Sequence, residues 1–410
     1  MHRRILGLTL ACFSLGQLTL RAQDFKVFDR EVQIHGFASQ SFVYTNTNNW
    51  LTMDSNQGSA AFTDFGLNVS SGITGKLRVG AQVYDYNLGQ LGAYHPSLDW
   101  AFADYRFKSW LGFRGGKVKT TLGLYNDTQD LDFLYTFALL PQSVYPTDIR
   151  DATLAHTGGD VYGSISPMRR LGDFSYTAFV GHRSDGIYGG FAYLASSYGV
   201  HFSSYGGLQY GADLRWNTPL KGLLVGISRI NEDITAKGTS PNPNPGGAPL
   251  PYSSVSKADW INQFYGEYIV GKLRIDSEYR RVLHDESTEG GLLLSTSDTR
   301  GCYVSGTYQV MKRLAVGSYY SRYTIHVVSG GPLAPLVPDQ TDTSLPGNHV
   351  YDKVVTVRVD LNRFWDVKLE GHFMNGYGFG PYPDGFYSQD NPQGFAPNTN
   401  ALVVKTGFNF

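Results

Sequence analysis

Several things that hold ordinary domains together are scarce in this chain, and each scarcity removes a class of answer. Of the 410 residues two are cysteines, Cys12 and Cys302. Neither a disulfide framework nor a cysteine metal site can be built from them. Charged residues make up 17%, against about 25% in soluble domains. Beyond the first twenty residues no apolar run approaches the roughly 18 residues of a membrane-crossing helix. No G-x-S-x-G or H-E-x-x-H spacing occurs, and His156, His182 and His284 each fall near a predicted strand end, where a polar loop residue is the default. The glycines of GGFAYLASSYGVHFSSYGG (189–207) lack the lysine and following helix of a phosphate-binding loop, and they suit an aromatic, small-residue surface loop. No catalytic group, metal or cofactor is implied.

The start of the chain has the order of a secretory signal peptide. Arg3 and Arg4 precede an apolar stretch, ILGLTLACFSLGQLTL (5–20), and Ala22 offers a small residue for cleavage. The expected domains are therefore a signal peptide, 1–22, and a mature region, 23–410. Cys12 raises a lipoprotein reading, but Thr9 stands where a lipidation motif usually has Leu. Cleavage removes Arg3, Arg4 and Arg21 from the 34 basic residues, leaving 31 against 35 acidic ones and a formal net charge of −4. A nucleic-acid partner finds no support in that balance.

What the chain does have is aromatic residues (14%), 48 glycines, and a repeated alternation in segments of about ten residues. In KLRVGAQVYD (76–85), Leu77, Val79, Ala81 and Val83 oppose Arg78, Gly80, Gln82 and Tyr84. In GKLRIDSEYRR (271–281), Leu273, Ile275 and Tyr279 oppose Arg274, Asp276, Glu278 and Arg280. VYDKVVTVRVDL (350–361) and the terminal NALVVKTGFNF (400–410) repeat the pattern. Soluble strands average five or six residues, whereas a tilted bilayer-spanning strand needs about nine to eleven.

Sixteen such strands are predicted, at 31–44, 60–70, 76–86, 97–107, 111–124, 153–166, 172–182, 207–216, 220–231, 257–269, 272–283, 297–310, 313–326, 350–360, 364–375 and 399–410. Their connections alternate long and short. The short ones include 71–75, 108–110, 167–171, 217–219, 311–312 and 361–363. The long ones include 45–59, 125–152, 183–206, 232–256, 327–349 and 376–398, with 87–96 and 284–296 intermediate. Short turns at one end and long loops at the other mark a transmembrane barrel, whereas a soluble β-protein has no reason to keep that asymmetry. The fold class expected is all-β: an antiparallel up-and-down transmembrane barrel. Aromatics near strand ends, among them Tyr44, Trp50, Tyr105, Phe107, Trp110, Phe113, Tyr125, Trp216, Trp260, Phe364, Trp365 and Tyr377, suit the two headgroup levels.

Over the whole mature region the chain resembles the Gram-negative outer-membrane porins. VQIHGFASQ (32–40) resembles their opening strand, and ADYRFKSWLGFRGGKVKTTLGLYND (103–127) the hairpin leading into their third extracellular loop. The terminal Phe410 resembles the residue that outer-membrane insertion machinery recognises in that class. The resemblance implies an outer-membrane channel for passive diffusion of small polar solutes and ions, surrounded by lipid and assembled as a homotrimer. It also implies that the third long connection, 125–152, narrows the pore.

In that connection Leu131, Leu134, Tyr135, Ala138 and Leu139 recur at helical spacing, with Asp130 as a cap and Pro141 as a stop. The segment is too short to span a bilayer and too apolar to stay in water, which favours folding inward. An external lid or an oligomer contact is the competing reading. The loop carries Asp127, Asp130, Asp132, Asp148 and Asp151 against Arg150, and alternation points Arg78, Lys117 and Lys119 inward, with Arg106 sharing a face with Trp100 and Phe102. A bulge at Gly115–Gly116 is expected to shift the faces of that strand. Acids facing a basic wall would set up a transverse field, and ordinary solvated lumen charge is the alternative. SPNPNPGGAPLP (240–251) cannot form regular structure and suits an exposed loop. Such loops leave an adhesin or surface-receptor barrel without an open pore as the second function class.

Overall fold

The computed structural model describes residues 23–27, 30–168, 170–329, 340–378 and 384–410. The expected signal segment, 1–22, lies outside them. A short strand, β1 (Gln23–Val27), pairs with the start of β2 (Arg30–Thr45). There follow β3 (Ser59–Gly72), β4 (Leu77–Leu88), β5 (Ser97–Lys108), β6 (Leu111–Lys119), β7 (Ala155–Met168), β8 (Gly172–Ser184), β9 (His201–Asn217) and β10 (Leu223–Ser240). The second half holds β11 (Leu250–Val270), β12 (Leu273–Thr288), β13 (Leu293–Met311), β14 (Leu314–Ser329), β15 (His349–Asp360), β16 (Trp365–Asn375) and β17 (Asn398–Asn409). Each of β2 to β17 pairs antiparallel with the next, and β17 returns to β2 through pairs such as Val403 with Val43. Sixteen strands thus close a barrel without a free edge, as a bilayer demands of any sheet that crosses it.

Alternation decides which way each side chain points. On β15, Val355 is 54% exposed while Val354 is 1% exposed. On β16, Leu369 and Phe373 point out while Lys368, Glu370 and His372 are fully buried inside. Apolar residues outside and charged residues within invert a soluble protein and suit a wall solvated by lipid. The buried apolar cluster of Trp50, Leu51, Met53, Leu88, Leu91, Ile149 and Phe386 sits instead in the barrel mouth, where the long loops fold together.

The strand count stands, and the differences lie at strand ends. β6 stops at Lys119, and the chain leaves the wall there. β10 and β11 continue to Ser240 and from Leu250, so most of 232–256 is strand rather than loop. Beyond the bilayer an outward face need not be apolar, so NEDITAKGTS reads as loop although Ile234 and Ala236 still point inward and are buried. The same growth of β12 and β13 leaves only 289–292 between them. Residues 189–207, expected as an aromatic, small-residue surface loop, hold the short helix α1 (Gly190–Ser196) and the first residues of β9, from His201.

Candidate functional site

The site is built by the segment that leaves the wall after β6. The Thr120 amide donates to the Leu154 carbonyl (2.9 Å), and Asn126 Nδ2 closes this neck by donating to the carbonyls of Thr120 (2.8 Å) and Thr153 (2.6 Å). Everything between runs inside the barrel, fastened to inward side chains of distant strands. Glu370 on β16 accepts from the amides of Ala138 (2.8 Å) and Leu139 (3.0 Å). Arg358 on β15 donates to the carbonyls of Phe133 and Tyr135, both at 2.7 Å. The Tyr145 hydroxyl donates to Glu278 on β12 (2.6 Å). Arg280 Nη1 reaches the Val144 carbonyl (2.8 Å). At Gly301 the loop comes so near that a Cβ would fall 1.8 Å from the Ser143 carbonyl oxygen, so only glycine fits.

Two carboxylates anchor the leading part. Asp130 takes Lys119 Nζ (2.5 Å) and Gln82 Nε2 (2.6 Å). Burial pushes its pKa up, but Lys119 and Arg150 outweigh that and hold it below the usual value. Asp132 pairs with Lys368 (3.0 Å) and Lys405 (3.1 Å), and these two cations likewise overcome its burial and hold its pKa down. The trailing part differs. Asp148 accepts from the Tyr387 hydroxyl (2.6 Å), and burial raises its pKa to about 6. Asp384 nearby is pushed well above the carboxylate range by burial and by the neighbouring carboxyls of Asp148 and Asp352. Burial also raises Asp151, with Arg150 opposing it. The guanidinium of Arg150 lies 4.2 Å from the centre of the Tyr84 ring and 3.4 Å from Asp99.

Between loop and wall a small cavity of about 60 Å³ remains. Phe62, Asp64, Tyr84, Tyr86 and Lys405 border it on the wall side, and Gln129, Asp130, Asp132, Tyr135, Leu139 and Arg150 on the loop side. Acids and bases are interleaved around it, rather than segregated into an acidic loop and a basic wall.

The sequence-predicted residues divide accordingly. Asp130, Asp132, Arg150 and Lys119 come together here, and the Asp127 carbonyl accepts from Lys119 (3.0 Å). Asp148 and Asp151 lie further along the loop, and Asp151 opens a four-residue helix (Asp151–Leu154) just before β7. Arg78 faces inward and donates to Ser70 (3.4 Å). Arg106, level with Gly112 on β6, is exposed at the short-turn end. Lys117 is a correction. Across Gly115–Gly116 β6 keeps its register with both β5 and β7, so no bulge shifts its faces there, and Lys117 shares the outward side with Phe113, its ammonium donating to the Leu98 carbonyl (2.7 Å). The expected loop helix is also absent. A single 3-10 turn, Asp132–Leu134, stands in its place, and the Asp130 carboxylate is spent on Lys119 and Gln82 instead of a cap. Trp50 and Tyr125 lie buried in the barrel interior rather than in a girdle.

Lys368, Lys405, Arg358 and Asp384 were not singled out from sequence. Alternation marks the first three as inward, but nothing local says that they meet a segment more than two hundred residues away. Phe410 exchanges backbone hydrogen bonds with Gly36 (2.9 and 3.2 Å) at the closing seam.

The architecture is that of an outer-membrane porin-type barrel, sixteen strands closed around an inward loop. No protein-family model and no curated protein matches the chain in sequence. Among solved structures it is similar to the outer-membrane expressed OmpT of Vibrio cholerae, with 13% identity, a TM-score of 0.56, and coverage of 95% of this chain and 100% of that one. It is also similar to an anion-selective porin from Comamonas acidovorans (10% identity, TM-score 0.54, 93% and 100% covered). The outer membrane channel DcaP of Acinetobacter baumannii gives 11% identity and a TM-score of 0.53, with 94% and 99% covered. At these identities the likeness is one of fold.

Proposed function

We propose that the protein is an outer-membrane channel for passive diffusion of small polar solutes and ions, with the loop of residues 125–152 as its constriction. The observation that carries this reading is the fastening of that loop across the lumen by Glu278, Arg358, Lys368 and Glu370, with a cavity edged by charge left beside it. A solute passing there must replace its water with fixed dipoles and charges, which favours polar solutes over apolar ones. Asp127, Asp130, Asp132, Asp148, Arg150 and Asp151 belong to the constricting loop in this reading, and Arg78, Arg106 and Lys119 to the lumen wall. An N-terminal signal, 1–22, directs export, Phe410 serves as the assembly signal, and the molecule works as a homotrimer in the outer membrane without catalysis.

The test is single-channel recording of the folded protein in a planar bilayer under a salt gradient. Ohmic steps with a defined reversal potential are expected. Absence of conductance from protein that still shows heat-dependent gel mobility would leave a closed or adhesive barrel and overturn the channel reading.

A further inference from the structure

The outer surface of the barrel is not uniform around its circumference. On β10, β12, β13, β14 and β15 the outward apolar run, followed from the short turns toward the loops, meets a cation. Ile227 is succeeded by Arg229, Tyr279 by Arg281, and Tyr320 by Arg322. On β13 Val304 and Cys302 lead to Arg300, and on β15 Val355 leads to Lys353. The registers place these residues side by side: Arg281 opposite Arg300, and Arg322 one ladder step from Lys353 through Tyr351. The band stops at both flanks, where Arg229 pairs with Ala212 on β9 and Lys353 with Phe373 on β16.

The four arginines are held in position. Asp298 takes Arg281 through two hydrogen bonds (2.8 and 2.9 Å) and also Arg300 (2.7 Å). Arg229 and Arg281 both lie 5.3 Å from the centre of the Trp260 ring. Arg322 stacks on Tyr351 at 4.6 Å and donates to its hydroxyl (3.2 Å). Asp298 is the acid at this level among the described residues, since Asp233 and Asp285 follow four positions beyond Arg229 and Arg281 toward the loops. Five cations against one carboxylate, at the edge of a low-dielectric belt, repel one another unless an anion joins them.

We propose that the outward face of β10–β15 is a binding site for the phosphate groups of an anionic outer-leaflet lipid, gripped by Arg229, Arg281, Arg300, Arg322 and Lys353. Guanidinium forks match phosphate oxygens in pairs, and the apolar residues directly below would meet the acyl chains of the same molecule. The rings of Trp260 and Tyr351 hold the guanidinium planes toward the headgroup level. A lipid is favoured over a soluble anion because the cations stand immediately above an acyl-facing surface.

The experiment is native mass spectrometry of the full folded chain in neutral detergent, mixed with diphosphoryl lipid A, with the same lipid after removal of its phosphates, or with inorganic phosphate as competitor. Retention of the diphosphoryl form is expected to exceed that of the dephosphorylated form by about tenfold or more. The combined Arg281→Ala, Arg300→Ala and Arg322→Ala variant should abolish this preference while keeping heat-dependent gel mobility. If that variant does not fold, Arg322→Ala alone, outside the Asp298 cluster, should weaken retention severalfold. Equal retention of both lipids, unchanged retention in the variants, or displacement by millimolar phosphate would each overturn the proposal.

Discussion

At its leading end the inward loop sets Asp130 and Asp132 against Lys119, Lys368 and Lys405, while at its trailing end Asp148 meets the Tyr387 hydroxyl and the carboxyl of Asp384. Burial acts on both ends alike, so the difference comes from the partners. Where cations stand within 3.1 Å the carboxylates stay ionised and their pKa values fall. Where hydroxyls and other carboxyls stand there, burial wins and the pKa values rise. One loop is thus fixed by ion pairs at one end and by a carboxyl of raised pKa at the other, and the two fastenings respond to pH in opposite directions.

The largest effect is expected from Lys368→Met. It strips a fully buried cation from Asp132 and from the carbonyls of Asp132 and Phe137. Breaking a buried pair of this kind costs about 3–5 kcal/mol. The loop should come free, seen as strong conductance noise and as protease cleavage within 125–152. Quiet channels in this variant would mean that the ion pairs do not hold the loop.

Next comes pH. A shift of Asp148 from 3.8 to about 6 corresponds to about 3 kcal/mol. Because the folded value is the raised one, its stabilisation is complete below about 4 and fades as pH rises through about 6. For Asp130 and Asp132 the folded values are the lowered ones, so their contribution is present above the usual carboxylate pKa and is lost only as pH falls through the depressed values. Loop-dependent noise should therefore be least near pH 5 and increase toward pH 8, and Asp148→Asn should remove that rise. Noise that grows on acidification between pH 7 and 5 would contradict this assignment.

A smaller effect is expected on ion preference. Lys405→Gln removes one of the positive charges at the cavity and should move the reversal potential toward cation preference, whereas Asp130→Asn should move it the other way. Least of all should Lys117→Ala matter. Its side chain lies outside the lumen, so its single-channel conductance should match that of the unaltered protein, unlike Lys119→Ala.

That last contrast shows what the sequence could and could not disclose. Alternation over ten residues is a local signal, and it located all sixteen strands. It failed for Lys117 because a bulge at Gly115–Gly116 was assumed where the ladder runs unbroken. The inward course of the loop was legible from Leu131, Leu134 and Leu139, too apolar for water and too few for a bilayer. Its conformation was not, because Glu370, Arg358 and Lys368 take up its backbone groups in place of helical hydrogen bonds. The partners themselves are set by barrel closure, which brings residue 368 beside residue 132, and no local pattern records that.

The most direct test of the constriction uses single cysteines in a Cys302→Ser background, one on the loop (Gln129→Cys) and one across the cavity (Tyr86→Cys), recorded in planar bilayers while a cationic thiol reagent is added. Stepwise loss of conductance at both positions is the predicted result. Conductance unaffected by modification at either position would contradict the account, because the open path would then lie elsewhere in the barrel.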